Sequence, residues 1–236
     1  MKESFFRTAM LLGPDAEGLL GGAHAAVFGL GGVGGHACDA LARCGVGTIT
    51  AIDSAAVKMS NLNRQIIARK DTVGMPKALA MKAHLESVSD AKVFAVNEFV
   101  TAENAGSLVP GDAFVVIDAL DNVTAKLALI CFCAEKGVPI LSSMGAGNRL
   151  DPTRVRVSDV YETSVDPLSR VMRRELKKRG VERLTVVWSD EPPITPLIEA
   201  PDPEMKKNAP ASAPFVPAVF GLTLAAEAVK LILKKG

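Results

Sequence analysis

Three kinds of side chain recur in one order along this chain. Glycines come first, where backbone would approach an anion; cations follow that would neutralise it; carboxylates complete the set. Gly29, Gly31 and Gly34 satisfy G-x-G-x-x-G within Gly-Leu-Gly-Gly-Val-Gly-Gly, and Gly32 adds a further residue without a side chain. Such a loop lets main-chain N–H groups cradle phosphates at a helix N-terminus. Asp53 follows 19 residues after Gly34, where an acid can hold ribose hydroxyls. This pattern alone fits NAD as readily as ATP.

The next residues favour ATP. Asn61, Arg64 and Gln65 lie in Ser-Asn-Leu-Asn-Arg-Gln, Lys77 follows, and Asp118, Asp121 and Asn122 lie in Asp-Ala-Leu-Asp-Asn. A hydride-transferring enzyme has no evident need of an arginine and a lysine beside a pyrophosphate together with a carboxylate pair. An adenylating enzyme does: Arg64 and Lys77 would neutralise charge developing on phosphorus, and Asp121 would hold Mg²⁺ with the phosphates. Each residue also has a plainer reading. Arg64 and Lys77 could be solvated charges, Asn61 a turn residue and Asp121 a helix N-cap.

These residues need a scaffold that gathers them, and the sequence predicts one. Apolar runs at 23–30, 46–53, 91–100, 113–120 and 139–145 alternate with helical patterns at 33–45, 77–89 and 125–137. That alternation predicts a doubly wound, Rossmann-like α/β fold with a mainly parallel sheet, and ligands of such sheets bind outside the carboxyl ends of the strands. After about residue 150 the texture changes to an antiparallel-type strand (154–164), a basic helix (167–180) and another strand (184–190). Residues 190–214 are rich in proline and charge and read as a mobile loop. A final helix, from about Val219 to Leu233, returns to the core. The chain thus divides into a helical lead-in (1–22), a nucleotide-binding core (23–150) and an extension of the same domain (151–236).

Composition narrows the class. Of 236 residues 48% are hydrophobic, enough for a sizeable core, and a net charge of +1 argues against a polyanion-coating protein overall. Cys38, Cys44, Cys131 and Cys133 form no C-x-x-C pair, so a zinc knuckle is not supported, and they read as small core hydrophobes. Nothing suggests disulfides, and a reducing cytoplasm is the default. The N-terminal Met1–Gly13 stretch is too short and too charged for a signal peptide. The most apolar segment, residues 215–233, is interrupted by Pro217, Glu227 and Lys230 and reads as a buried helix rather than a membrane span. His24, His36 and His84 are too scattered to form a metal site.

In the order Gly29–Gly35, Asp53, Asn61–Gln65, Lys77 and Asp118–Asp121, the chain resembles the ubiquitin-activating-enzyme-like superfamily. Within it the chain is most similar to the tRNA threonylcarbamoyladenosine dehydratases, through Phe5–Gly13, residues 142–180 and residues 215–230. The resemblance implies adenylation of a substrate carboxylate by ATP and Mg²⁺, and loss of water from a modified adenosine beside the tRNA anticodon. It implies Asp53 as ribose ligand, Asn61, Arg64, Gln65 and Lys77 as phosphate and transition-state contacts, and Asp121 as the metal-linked carboxylate. It further implies a homodimer in which Arg7 acts in trans, and leaves open a sulfur-transfer protein as partner. Between Pro167 and Arg183, Arg170, Arg173, Arg174, Lys177, Lys178, Arg179 and Arg183 face only Glu175 and Glu182. Such a patch suits tRNA phosphates, though most charge runs are merely solvated faces. Arg154 and Arg156 would extend it if that strand packs nearby, while Trp188 and Tyr161 would either stack a base or anchor a second sheet. The competing classes are activation of a sulfur-carrier C-terminus, an NAD-dependent oxidoreductase, and a non-catalytic nucleotide-binding partner.

Overall fold

β-strand 1 (His24–Phe28) is buried at every residue. Its side chains alternate between two cores, Ala25 and Val27 on one face and Ala26 and Phe28 on the other, as a strand covered on both sides requires. The computed structural model describes residues 2–198 and 210–234. Strands β2 (Thr48–Ile52), β3 (Lys92–Val96), β4 (Val115–Asp118), β5 (Ile140–Ser143), β6 (Val155–Asp159) and β7 (Thr185–Ser189) complete one sheet in the order β3-β2-β1-β4-β5-β7-β6. Every pairing is parallel except β6 with β7. The expected α/β class, with its antiparallel C-terminal pair, is therefore the observed one. Residues beyond 150 supply two of the seven strands.

Among the described residues, seven α-helices pack around the sheet: α1 (Phe6–Leu12), α2 (Ala16–Gly21), α3 (Gly34–Arg43), α4 (Lys77–Val88), α5 (Val123–Lys136), α6 (Pro167–Lys178) and α7 (Phe215–Lys234). Leu41 of α3, Leu85 of α4 and Phe220 and Leu224 of α7 fill the largest core cluster. Met172 and Leu176 of α6 meet Leu127 and Ile130 of α5 and Trp188 of β7 in a second. Gly45, at φ +93°, follows α3 in the left-handed conformation that closes helices.

Two expectations shift. Strand β3 stops at Val96 rather than residue 100 and is one of the two edges of the sheet. Helix α7 starts at Phe215, four residues early, because Pro217 lies in the first turn, where the helix asks for no N–H. Its 20 residues are by length and hydropathy (1.8) enough to cross a bilayer. Even so, Val216, Phe220, Leu224, Ala228 and Ile232 are buried in the main core, as the sequence reading expected of this segment.

Only the two ends of the loop expected at 190–214 are among the described residues; residues 199–209 lie outside them. Its flanks are pinned by Asn148: the Ile194 N–H donates to the Asn148 carbonyl at 2.7 Å, the Asn148 N–H to the Ala211 carbonyl at 2.7 Å, and the Ala211 N–H to Asn148 Oδ1 at 2.7 Å.

Candidate nucleotide site

Register alone converges the predicted site residues. Phe28 lies beside Ile52 on one side and Asp118 on the other. Gly29, Asp53 and Ala119 therefore leave the sheet at one level, at the point where strand order reverses, which is where open α/β sheets bind ligands.

The glycines of the loop do different things. Gly29 has φ +87°, and a Cβ there would sit 2.6 Å from the Ala119 carbonyl oxygen; one on Gly34 would sit 1.8 Å from the Gly29 oxygen. Those two are imposed by the fold. Gly31 is not: its nearest neighbour would be Gln65 Nε2 at 4.0 Å. Space is left in front of Gly31 where a phosphate would come close to the backbone. Gly32 is wedged between Arg64 Cγ at 3.3 Å and Pro217 Cβ at 3.2 Å. Helix α3 starts just beyond, with Val33 as its N-cap and no side chain capping it. The Gly35 N–H donates to the Gly31 carbonyl at 3.1 Å, and the other N–H groups at the start of the helix are available to an anion.

Asp53 Oδ2 accepts the Leu30 N–H at 2.8 Å and Oδ1 the Ala55 N–H at 2.8 Å. The carboxylate therefore braces the glycine loop, with acceptor capacity left over. Lys77 Nζ stands 3.7 Å from Asp53 Oδ2, and both side chains are largely covered. Lys77 is the first residue of α4, where a cation opposes the helix dipole. Asp53 offsets that cost, and a bound anion would offset it further.

Arg64 is half-buried and donates through Nη1 to the Ser60 carbonyl at 3.0 Å and Asn63 Oδ1 at 2.8 Å. Burial pulls its guanidinium below the usual value, yet an arginine stays charged. Gln65 is 6% exposed, and its Oε1 is buried without a partner among the described residues. An orphaned acceptor of that kind is costly unless something arrives to satisfy it. Asn61 Oδ1 accepts the Lys58 N–H at 3.0 Å and shapes the turn that presents Arg64.

The carboxylate loop departs from expectation. Asp118, expected to touch the nucleotide, is fully buried. Its Oδ1 accepts the Leu120 N–H at 3.1 Å, while Oδ2 accepts Lys126 Nζ at 2.7 Å and Ser142 Oγ at 2.6 Å. Asp118 is consumed by a buried ion pair and holds the loop in place instead of holding the ligand. Asn122, also expected at the nucleotide, caps α5 by accepting the Ala125 N–H at 3.1 Å. The helix cap is therefore Asn122 and not Asp121. Asp121 is exposed.

A family model described as the ThiF family matches residues 7–236. The chain belongs to the ThiF family. Among its relatives, it is 37% identical over 244 residues to the tRNA threonylcarbamoyladenosine dehydratase of Bacillus subtilis, covering 99% of this chain and 96% of that one. The crystal structure of the Escherichia coli tRNA N6-threonylcarbamoyladenosine dehydratase in complex with ATP superposes with a TM-score of 0.89 at 35% identity, over 99% of this chain and 95% of that one. A shorter likeness, 35% over 140 residues, links this ThiF-family chain to the sulfur carrier protein ThiS adenylyltransferase of Bacillus subtilis; it covers 58% of the chain and 41% of that relative.

The remaining expected residues lie on the lead-in and in the part of the chain beyond residue 150. Arg7 is exposed on α1, and the lead-in packs at the opposite end of the sheet, where Phe5 lies against Gly45, ahead of β2. The basic helix α6 is less uniformly free than its sequence suggests. Arg173 donates to the Thr163 carbonyl at 2.8 Å and also to its hydroxyl. Arg174, Lys178 and Arg179 all pair with Glu175, and their bonds hold its carboxyl at about 2. Arg154 and Arg156 both pair with Asp190. Arg170 and Lys177 are exposed, with no ion pair among the described residues. Trp188 is buried and donates to Ser158 Oγ at 3.0 Å, and Tyr161 donates to the Val181 carbonyl at 2.5 Å. Both anchor the sheet extension, so base stacking on them is not supported.

Sequence reasoning missed Lys126, which also donates to the Ser143 carbonyl at 2.9 Å, and Arg149, which ties Gly145, Asp166 and Glu191 together. A lysine inside the apolar run Ala125–Cys133 was the available signal for the first. An apolar groove of about 270 Å³ beside Asn148, Leu150, Ile194, Leu197 and Ala213 joins the site through Asn63 Nδ2, which donates to the Ser212 carbonyl at 2.8 Å. A larger cavity of about 560 Å³ lies between Lys2, Arg43, Gly45 and Asp90 and contains none of the residues expected to bind a nucleotide.

Proposed function

We propose that this protein is an ATP-dependent dehydratase that cyclises threonylcarbamoyladenosine in tRNA, beside the anticodon. The observation that carries the reading is the convergence of Gly31, Asp53, Arg64, Gln65, Lys77 and Asp121 at the strand-order reversal, in a chain alike over nearly its full length to the dehydratases. The residues fit a nucleoside triphosphate: the open backbone at Gly31, the uncapped start of α3 and the unpartnered Gln65 Oε1 all ask for a ligand. The glycine loop and α3 would hold phosphates, Asp53 the ribose hydroxyls, and Arg64 and Lys77 the charge that grows at the α-phosphorus. Among the described residues no three His, Cys, Asp or Glu side chains cluster to hold a metal. Asp121 would therefore share Mg²⁺ with phosphate oxygens.

In the reaction the substrate carboxylate displaces pyrophosphate from the α-phosphate. An atom of its own ureido group then closes on the activated carbonyl carbon, and AMP leaves with one carboxylate oxygen. The substrate loses the elements of water, and the second step asks for no enzyme nucleophile. The protein acts where tRNA is, in the cytoplasm, with α6 contributing phosphate contacts. Dimerisation through the exposed Phe6, Met10 and Leu11 of α1 would bring Arg7 to a neighbouring site. A sulfur-transfer protein remains a candidate partner. Activation of a sulfur-carrier C-terminus, the alternative reading, is the less favoured, because that likeness covers only 58% of the chain.

The test is AMP release from ATP and Mg²⁺ with tRNA bearing the modified adenosine. Release that depends on this tRNA, and that is lost in Asp121→Ala, supports the reading. Release that needs a sulfur-carrier protein and ignores tRNA would refute it.

A further inference from the structure

The main-chain carbonyls at the start of α3 are not treated alike. Those of Gly31 and Val33 accept backbone N–H groups, from Gly35 and Ala37 at 3.1 Å each. The carbonyl of Gly32, between them, lies 2.9 Å from the Nδ1 of His36. A carbonyl can only accept, so the imidazole carries its proton on Nδ1 and donates. His36 is itself held by α7. Gly221 comes so near that a Cβ on it would lie 2.8 Å from His36 Cβ and 2.2 Å from the Val33 carbonyl oxygen.

A peptide unit is planar and trans, so its C=O and N–H point in opposite directions. Turning the Gly32 carbonyl toward His36 turns the Val33 N–H the other way. Val33 is the N-cap of α3, and no side chain caps that helix. A full flip would drive Val33 to positive φ, which a β-branched residue resists; but without an anchor the glycine at position 32, with no Cβ to restrict its ψ, would let this peptide tilt and swing its N–H off the phosphate. We infer that His36 is a positioning residue for the nucleotide: its Nδ1–H locks the Gly32–Val33 peptide with the carbonyl turned away from the phosphate and the N–H available to it. The inference deepens the proposed reading and rests on the glycine loop being the triphosphate site.

The test is direct titration of the intact protein with ATP and Mg²⁺, without tRNA, on wild type, His36→Phe and His36→Asn. Phenylalanine keeps a ring and loses the donor; the asparagine Nδ2 sits near the place of the imidazole Nδ1. We expect His36→Phe to weaken ATP binding about fivefold to tenfold, the size of one lost hydrogen bond near charge. His36→Asn should recover it to within about twofold. In turnover assays the loss should appear in KM for ATP, with kcat little changed, and the nucleotide-free melting temperature of His36→Phe should stay within a few degrees of wild type. Equal ATP affinity in all three proteins would overturn the inference while leaving the proposed function standing. Equal weakening in the Phe and Asn variants would overturn it too, because the donor would then not matter. Wild-type protein that binds no ATP would overturn both.

Discussion

At the residue scale, two glycines two positions apart in the same loop make opposite predictions. Gly29→Ala puts a Cβ 2.6 Å from the Ala119 carbonyl oxygen at φ +87°. It should cost on the order of 2 kcal/mol or more, read as a lowered melting temperature without nucleotide. Gly31→Ala meets only Gln65 Nε2 at 4.0 Å. It should leave stability within about 0.5 kcal/mol yet raise KM for ATP about tenfold or more, since close backbone approach is the purpose of this glycine. If Gly31→Ala binds ATP as wild type does, the loop is not the phosphate site. The glycine pattern and the order of Asp53, Arg64 and Lys77 were legible in the sequence because each chemistry needs its residue type at a strand end. The fates of Asp118 and Asn122 were not. A carboxylate at a strand end reads the same whether it faces a ligand or a lysine eight residues on, in the next helix, and only packing places Lys126 beneath it.

At the scale of elements, the ends of β4 and β5 and the start of α5 are tied by Lys126, Asp118 and Ser142. Lys126 and Asp118 are fully buried. Lys126→Met leaves an uncompensated carboxylate in the interior and should destabilise the fold by about 3–5 kcal/mol, measured by urea unfolding. A loss below about 1 kcal/mol would mean that the carboxylate takes up a proton or finds another partner. Helix α6 was legible as a basic helix, from its run of arginines and lysines, but not the internal use of those charges. Arg173 is spent on Thr163, and Arg174, Lys178 and Arg179 share Glu175. Replacing Arg170 and Lys177 by glutamine should therefore weaken tRNA binding and reduce the salt dependence of log K by about one to two units, with stability unchanged. Arg173→Gln should cost stability instead. A salt slope untouched by the double change would remove this face from the tRNA interface.

At the scale of the whole molecule, alternation of strand and helix was enough to read the sheet. The long-range ties were beyond reach, because Asn148 draws together residues 194 and 211 with no local signal for either. The start of α7 was misplaced because Pro217 reads as a break and here sits in the first turn. Assembly carries its own prediction. Arg7 lies on a lead-in packed at the far end of the sheet from Gly29, so a catalytic part for it requires a second copy. Arg7→Ala and Asp121→Ala should each be inactive alone. Mixed and allowed to exchange, they should recover about a quarter of wild-type activity, because half the dimers are mixed and each of those rebuilds one site of two. Mixtures as inactive as either parent would refute the trans role.

The central claim, loss of water from a tRNA nucleoside at the expense of ATP, is tested most directly by mass spectrometry. tRNA carrying threonylcarbamoyladenosine is incubated with the protein, ATP and Mg²⁺, digested, and its nucleosides weighed. The account predicts a modified nucleoside lighter by one water, formed only with ATP and absent with Arg64→Ala or Asp121→Ala. An unchanged nucleoside, with pyrophosphate exchange appearing only on addition of a sulfur-carrier protein, would contradict it.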